Sequence, residues 1–223
     1  MDLTFQQGAD IEHAIAERAG PADDASPMRT ERCRTMLVFL DFEASSLAKQ
    51  SYPIEVAWIF EDGASETHLI RPAPDWHDWD IRAEAIHHIP REILLCDGTP
   101  HDEVARRMVD RLTGHDLAAS APSWDGKWLS ALLRAAGLPR HALRLRATDD
   151  VQREVARAIL TGQVPADRLE ATIATLIDAV RAKAQGAPPA HRALADAVAE
   201  RDRWLAVRAG AAQLTLPYSP PPP

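Results

Sequence analysis

Cysteine is nearly absent from the 223-residue chain: Cys33 and Cys96 are the only two, and no CxxC occurs. Neither a disulfide framework nor a zinc knuckle is indicated, and a reducing cytoplasm is the expected setting. A positive charge balance is also missing. The formal net charge is −8, which argues against a protein that coats long nucleic acid by electrostatics alone, while leaving room for an enzyme that grips a short end. Long apolar runs are lacking as well, the uncharged ones being far too short to cross a bilayer. Met1-Asp2-Leu3-Thr4-Phe5-Gln6-Gln7 has neither the basic start nor the apolar segment of a secretory signal. A soluble protein is expected.

What the chain does have is the composition of one globular domain, 46% apolar and 26% charged, with enough length for a real core. Its most informative stretch is Met36-Leu37-Val38-Phe39-Leu40-Asp41-Phe42-Glu43. Five apolar residues in a row read as a strand buried on both faces. Side chains alternate along a strand, so Asp41 and Glu43 share one side at the point where the strand leaves the sheet. At roughly 4 Å and an effective dielectric near 20, two such charges repel by about 4 kcal/mol. A divalent cation relieves that repulsion, and hard oxygen ligands suit Mg²⁺ or Mn²⁺.

In chain order, residues 1–35 have the Gly20-Pro21, Ser26-Pro27 and charged composition of an appendage. Residues 36–208 form the expected catalytic domain, and 209–223 a tail ending in Ser219-Pro220-Pro221-Pro222-Pro223. After the first strand, residues 52–60 and 67–70 read as two further strands joined by a turn at Glu61-Asp62-Gly63-Ala64, an antiparallel meander. Residues 72–100 read as irregular, a surface loop with tryptophan anchors. Its histidines and acids do not have the spacing of a tetrahedral metal site. Val104, Met108, Val109 and Leu112 predict a helix stopped at Gly114, followed by a strand at 117–121. A helix opens near Ser123 to Asp125, where Asp125 serves equally as cap or metal ligand. A short strand at 143–145 precedes a helix over 151–160, and Leu169, Ile173, Leu176, Ile177 and Val180 mark a helix that covers the sheet. In the last helix Leu194, Ala195, Val198, Leu205 and Ala206 are the expected buried side, with Pro188-Pro189 at its entrance. His191 and Asp196, five apart, converge only if His191 lies in the loop before that helix.

A strand ending Asp-x-Glu (Asp41, Glu43), an aromatic-Asp opening a helix (Trp124-Asp125) and a closing His-x-Ala-x-x-Asp (His191, Ala193, Asp196) resemble the three exonuclease motifs of the DEDDh 3′→5′ exonucleases. That superfamily includes proofreading exonucleases, RNase T and oligoribonucleases. The resemblance covers roughly residues 36–207. It implies an α/β, RNase H-like mixed sheet, an antiparallel meander followed by parallel strands, flanked by helices. Ile86-His87-His88-Ile89-Pro90 falls where that family often carries an Ile/Val-His-Gly-Ile turn. The sequence departs from the pattern in Ser120-Ala121, where relatives often have His-Asn, in His88 for Gly, and in Ser46 where a Gly often follows the first motif. These departures bear on substrate choice and leave the acids and the histidine in place.

The resemblance implies two-metal phosphodiester hydrolysis with Mg²⁺ or Mn²⁺. Asp41 would bridge both cations, Glu43 and Asp196 would complete the nucleophile-side ion, and Asp125 would hold the leaving-group side. His191 would deprotonate the attacking water. The implied partners are single-stranded DNA or RNA 3′ ends. Between Asp125 and Asp149 there is no acid, yet Lys127, Arg134, Arg140, Arg144 and Arg146 are present, a short basic path for a single strand. The alternative is a nuclease-fold protein that binds nucleic acid, or regulates, without cutting.

Overall fold

The computed structural model describes residues 34–184 and 190–216. The expected appendage up to residue 33, the Pro188-Pro189 helix entrance and the proline-rich tail from Pro217 lie outside the described residues. Three antiparallel strands open the domain: β1 (Leu37–Ala44), β2 (Pro53–Phe60) and β3 (Ser65–Arg71). The β2–β3 turn closes with Gly63 at φ 102°, backbone that glycine adopts without a Cβ clash. Three short strands follow, β4 (Thr99–Pro100), β5 (Asp116–Ala119) and β6 (Leu145–Ala147). The six-stranded sheet has the order β4-β3-β2-β1-β5-β6, and β5 and β6 run parallel to β1. This is the RNase H-like mixed sheet expected from the sequence.

Alternation along β1 sorts its residues between two cores. Val38, Leu40 and Phe42 face a cluster with Val104, Met108, Leu129 and Leu132, built by α3 (His101–Leu112) and α4 (Pro122–Ala135). Phe39 faces the opposite cluster with Ile59, Val151, Ala197 and Trp204, built by α5 (Thr148–Leu160) and α7 (Ala193–Leu214). Burying each large apolar side chain contributes about 1.5–3 kcal/mol, so both faces hold β1 in register. A slip of one residue would drive Asp41 and Glu43 into the α3–α4 core. Both acids therefore project toward α7.

Three expectations are corrected. Residues 72–100 are not irregular throughout: α1 (Ile81–His87) and α2 (Arg91–Asp97) occupy them, with β4. Each helix is seven residues long and leans on tertiary contacts, Leu94 and Ile89 packing with Tyr52 and Ile54; so short a helix has no sequence-visible stripe. The tryptophans do anchor it, Trp76 stacking on Tyr52 at 5.1 Å and Trp79 Nε1 donating to Glu84 at 2.7 Å. The second correction is α6 (Leu169–Ala184), which packs on α5 and α7 through Ile173 and Ile177 rather than on the sheet. The third is α7: it runs on to Leu214, so residues 209–214, expected as tail, are helix, and its buried face is Ala193, Ala197, Glu200, Trp204, Val207, Ala211. Of the expected side, Leu194, Val198 and Leu205 are half-buried, the last two packed against the Phe39 cluster, while Ala195 and Ala206 are exposed. Ala197 lies where α7 packs on β1 and β2. Among the described residues no helix is long and apolar enough to cross a membrane.

Candidate metal centre

β1 is paired with β5 only from Leu37 to Phe39, and β5 ends at Ala119. Past that point one side of β1 is open at Asp41 to Glu43. Into the gap comes the first turn of α4, and the Asp125 carboxylate accepts hydrogen bonds from the backbone of Ala121, at 3.3 Å, and of Phe42. Asp125 is 2% exposed. It therefore fastens the start of α4 to β1 and faces the β1 acids at the same time. From the other face, α7 brings in Asp196. One carboxylate oxygen from each of Asp41, Glu43 and Asp196 lies within 4.8 Å of the other two, close enough to share an ion.

The protonation behaviour reflects this crowding. Asp41 is pushed up to about 9, first by burial and then by the charges of Asp125, Glu43, Asp196 and Glu200. Glu43 is pushed up to about 8 by burial, Asp196 and Glu55, with Arg192 opposing. Burial raises Asp125 to about 7 despite its backbone donors. Buried carboxylates raised together by one another's charge form a site short of positive charge. The donor set is all hard oxygen and fits Mg²⁺ or Mn²⁺.

His191 lies in the loop before α7, as convergence with Asp196 requires, with a left-handed φ of 50°. Its neighbours are held on both sides. Ala190 N–H donates to Asp196 Oδ1 at 3.3 Å, and Arg192 makes a two-pronged pair with Glu55 at 2.7 and 3.1 Å. A positive φ in a residue other than glycine is a strained conformation of the kind that persists where surroundings impose it. His191 itself is exposed and stands outside the group of three close carboxylates.

Two residues of this site were missed in the sequence. Glu55 is directly opposite Glu43 across the β1–β2 pair and 3% exposed. Its carboxylate also accepts the Ala193 N–H at 3.0 Å, so it ties down the N-terminus of α7. A lone Glu inside the apolar run Pro53–Phe60 was the available signal, since a charge buried there needs a partner. Glu200, one turn after Asp196, is buried and paired with Arg203; its charge reaches Asp41 and Asp125. The acids open into a cleft of about 840 Å³ between α6 and α7, bordered by Ser120, Lys183 and Arg203.

The family-typical glycine positions are occupied in a consistent way. His88 caps α1 in the left-handed region, at φ 56°, the conformation a glycine would supply. Ser46 is buried with its hydroxyl on Asp78, which also accepts from Ser45 Oγ at 3.1 Å. Of the five basic residues, Lys127 Nζ donates to Ala48 O at 2.6 Å and Ser51 Oγ at 2.8 Å, bracing the β1–β2 connection. Arg134 folds back on the Ser130 carbonyl. Arg146 is taken up by Asp116 and Glu154 at 2.8 and 2.6 Å. Lys127, Arg140 and Arg144 border one groove, which neither Arg134 nor Arg146 lines.

Sheet and acids together define an RNase H-like α/β protein with a carboxylate centre able to hold a divalent cation. Solved structures it is similar to include exonuclease I. Escherichia coli exonuclease I in complex with a dA16 oligonucleotide superposes with a TM-score of 0.59 at 18% identity, over 82% of this chain and 42% of that one. The zinc-bound form of the E. coli enzyme with single-stranded DNA gives 0.54 at 19%, over 75% and 39%. Exonuclease I from Methylocaldum szegediense gives 0.55 at 21%, over 77% and 40%. This chain thus spans about two fifths of the length of those enzymes, and the likeness establishes the fold. No protein-family model and no curated protein matches the sequence.

Proposed function

We propose that this protein is a metal-dependent 3′→5′ exonuclease of the DEDDh type, hydrolysing single-stranded nucleic acid ends to nucleoside 5′-monophosphates. Asp41, Glu43, Asp125 and Asp196 would hold two Mg²⁺ or Mn²⁺ ions. Bound there, the ions would supply charge neutralisation at the phosphate and an acidified water. His191 takes the proton from the attacking water. The water oxygen forms a bond to the terminal phosphorus, the bond from phosphorus to the 3′ oxygen of the penultimate residue breaks, and that oxygen leaves with a proton from solvent. A 5′-monophosphate and a strand one residue shorter result. Glu55 and Arg192 orient the loop that carries His191, acting through backbone rather than on substrate.

The observation that carries this reading is the meeting of Asp41, Glu43 and Asp196 within 4.8 Å, two of them with strongly raised pKa values. A merely structural cluster of this kind would cost stability with nothing to offset it. The exonuclease I fold supports the same reading, and the neighbours described as complexes with single-stranded DNA favour a single strand as substrate. The test is digestion of 3′- and 5′-labelled DNA and RNA oligomers with Mg²⁺, Mn²⁺ or chelator. Metal-dependent release of 5′-mononucleotides from the 3′ end is expected. Intact oligomers with every metal would overturn the proposal.

A further inference from the structure

Apart from the acid cluster, the described residues form a concave basic surface on the flank of α4. A groove of about 510 Å³ runs between α4 and the connection leading into β6, lined on the helix side by Pro122, Gly126, Lys127 and Ser130. Arg140, His141 and Arg144 line it from the connection. No acid borders it, within a protein of net charge −8. Arg144 makes no ion pair among the described residues, and Arg140 Nε donates to His141 Nε2, at 2.8 Å. Both guanidinium groups are exposed. Elsewhere in the fold many arginines are matched with carboxylates: Arg107 with Glu66, Arg146 with Asp116 and Glu154, Arg157 with Glu170, Arg181 with Asp149. Arg140 and Arg144 are among those with no such match, and both of them line this groove.

The groove begins at Pro122, in the turn of α4 that also carries Asp125, and Ser120, two residues before it, borders the acid cleft, so the two sites lie next to each other along the chain. Planar guanidinium groups suit phosphodiester oxygens, and the exposed Arg140 and Arg144, which pair with no carboxylate, can meet them without breaking an ion pair. We infer that this groove binds the phosphate backbone of a single strand whose 3′ end lies in the acid cluster. The inference rests on the exonuclease reading for the direction of the strand, and it names what holds the part of the substrate that is not cut. The groove contributes uniform binding, the same before and during the reaction, so its loss raises KM and leaves kcat. Its two free arginines limit it to a few phosphates, which makes hydrolysis distributive.

The test compares the full-length wild type with R140E/R144E, with the milder R140Q/R144Q, and with R134E, which reverses another exposed charge, on α4 and off the groove. Binding is read by anisotropy of labelled oligothymidylate and oligouridylate in Ca²⁺, and turnover with the same oligomers in Mn²⁺. Turnover is also read with the p-nitrophenyl ester of thymidine 5′-monophosphate, too small to reach the groove. The double reversal should weaken oligomer binding and raise oligomer KM at least tenfold, with the small ester cleaved as by wild type. R140Q/R144Q should do so to a lesser degree, and R134E should change KM less than twofold. Losing two contacts should also flatten the salt dependence, by roughly 0.7 in slope for each phosphate. Oligomer binding unchanged in the double reversal, or lowered equally by R134E, overturns the inference. So does wild type that binds neither oligomer, which would leave the groove to an acidic protein. Wild type that binds oligomers through these arginines but cleaves nothing upholds the groove and overturns the exonuclease reading instead.

Discussion

Glu43 and Glu55 sit opposite each other on adjacent strands, a pairing that like charges disfavour, and the structure resolves the conflict differently for each. Glu55 receives Arg192 and the Ala193 amide. Glu43 receives neither and is left with a pKa of about 8. The asymmetry makes Glu55 an anchor and Glu43 a ligand in waiting. Removing Arg192 strands a carboxylate that is 3% exposed, whereas removing Glu55 leaves an arginine that is half exposed. Arg192→Ala should therefore cost about 3 kcal/mol, and Glu55→Gln clearly less, as urea denaturation will show. Equal losses would mean that Glu55 is not fixed by the pair. His191 is exposed and holds up no core. His191→Ala should leave stability unchanged, lower turnover by about 10² and flatten the acid limb of the pH–rate profile; an unaltered profile would assign the base to another group.

At the scale of elements, α7 decides whether there is a site at all, since it carries Asp196 and Glu200 and follows the His191 loop. Large side chains in the sequence pointed to the stripe of Leu194, Val198 and Leu205, with Ala195 and Ala206. Val198 and Leu205 do pack against the Phe39 cluster, but the fully buried face carries Ala193, Ala197, Trp204, Val207 and Ala211. Size alone was an incomplete signal, because an alanine such as Ala197 fills the close contact with β1 and β2. The prediction is a contrast. Ala197→Leu, at a site with no exposure between Phe39 and Ala118, should cost about 1–3 kcal/mol and weaken metal binding by displacing Asp196. Ala206→Leu, on the exposed side, should shift stability by no more than about 0.5 kcal/mol. The meander, α3 to α5 and the Asp-x-Glu strand were legible because their apolar patterns are long or unbroken. α1 and α2 were not, being short and held by Tyr52, Ile89 and Leu94 from distant parts of the chain. Arg146 shows the limit for charge patterns: it stands near the end of a stretch without acids, but Asp116 comes from the adjacent strand and Glu154 from the next helix.

For the molecule as a whole, the acid cluster links stability to pH and to metal. Asp41, Glu43 and Asp125 have folded-state pKa values of about 9, 8 and 7, all above the ordinary carboxylate range. Between about pH 4 and pH 9 these three groups therefore hold more protons in the folded protein than in the unfolded chain, and their contribution to stability falls as pH rises, against the smaller opposite contribution of His87, whose pKa burial lowers. Without metal, the melting temperature should decline from pH 5 to pH 9. Saturating Mn²⁺ should offset the decline most strongly at the upper end, where the ligands are already ionised. Asp41→Asn, which removes one of the crowded charges, should melt higher than wild type without metal at pH 9 and gain less from Mn²⁺. A metal-free protein that grows more stable over this range would contradict the raised pKa values.

Calorimetric titration of the full-length protein with Mn²⁺ near pH 7, repeated in buffers of different ionisation enthalpy, tests the central claim most directly. Because Asp41 and Glu43 are protonated there and must ionise to bind a cation, binding should release at least one proton per protein, and Asp41→Asn should abolish or severely weaken it. Absence of binding, or binding without proton release that Asp41→Asn leaves intact, would contradict the assignment of these carboxylates as a metal centre.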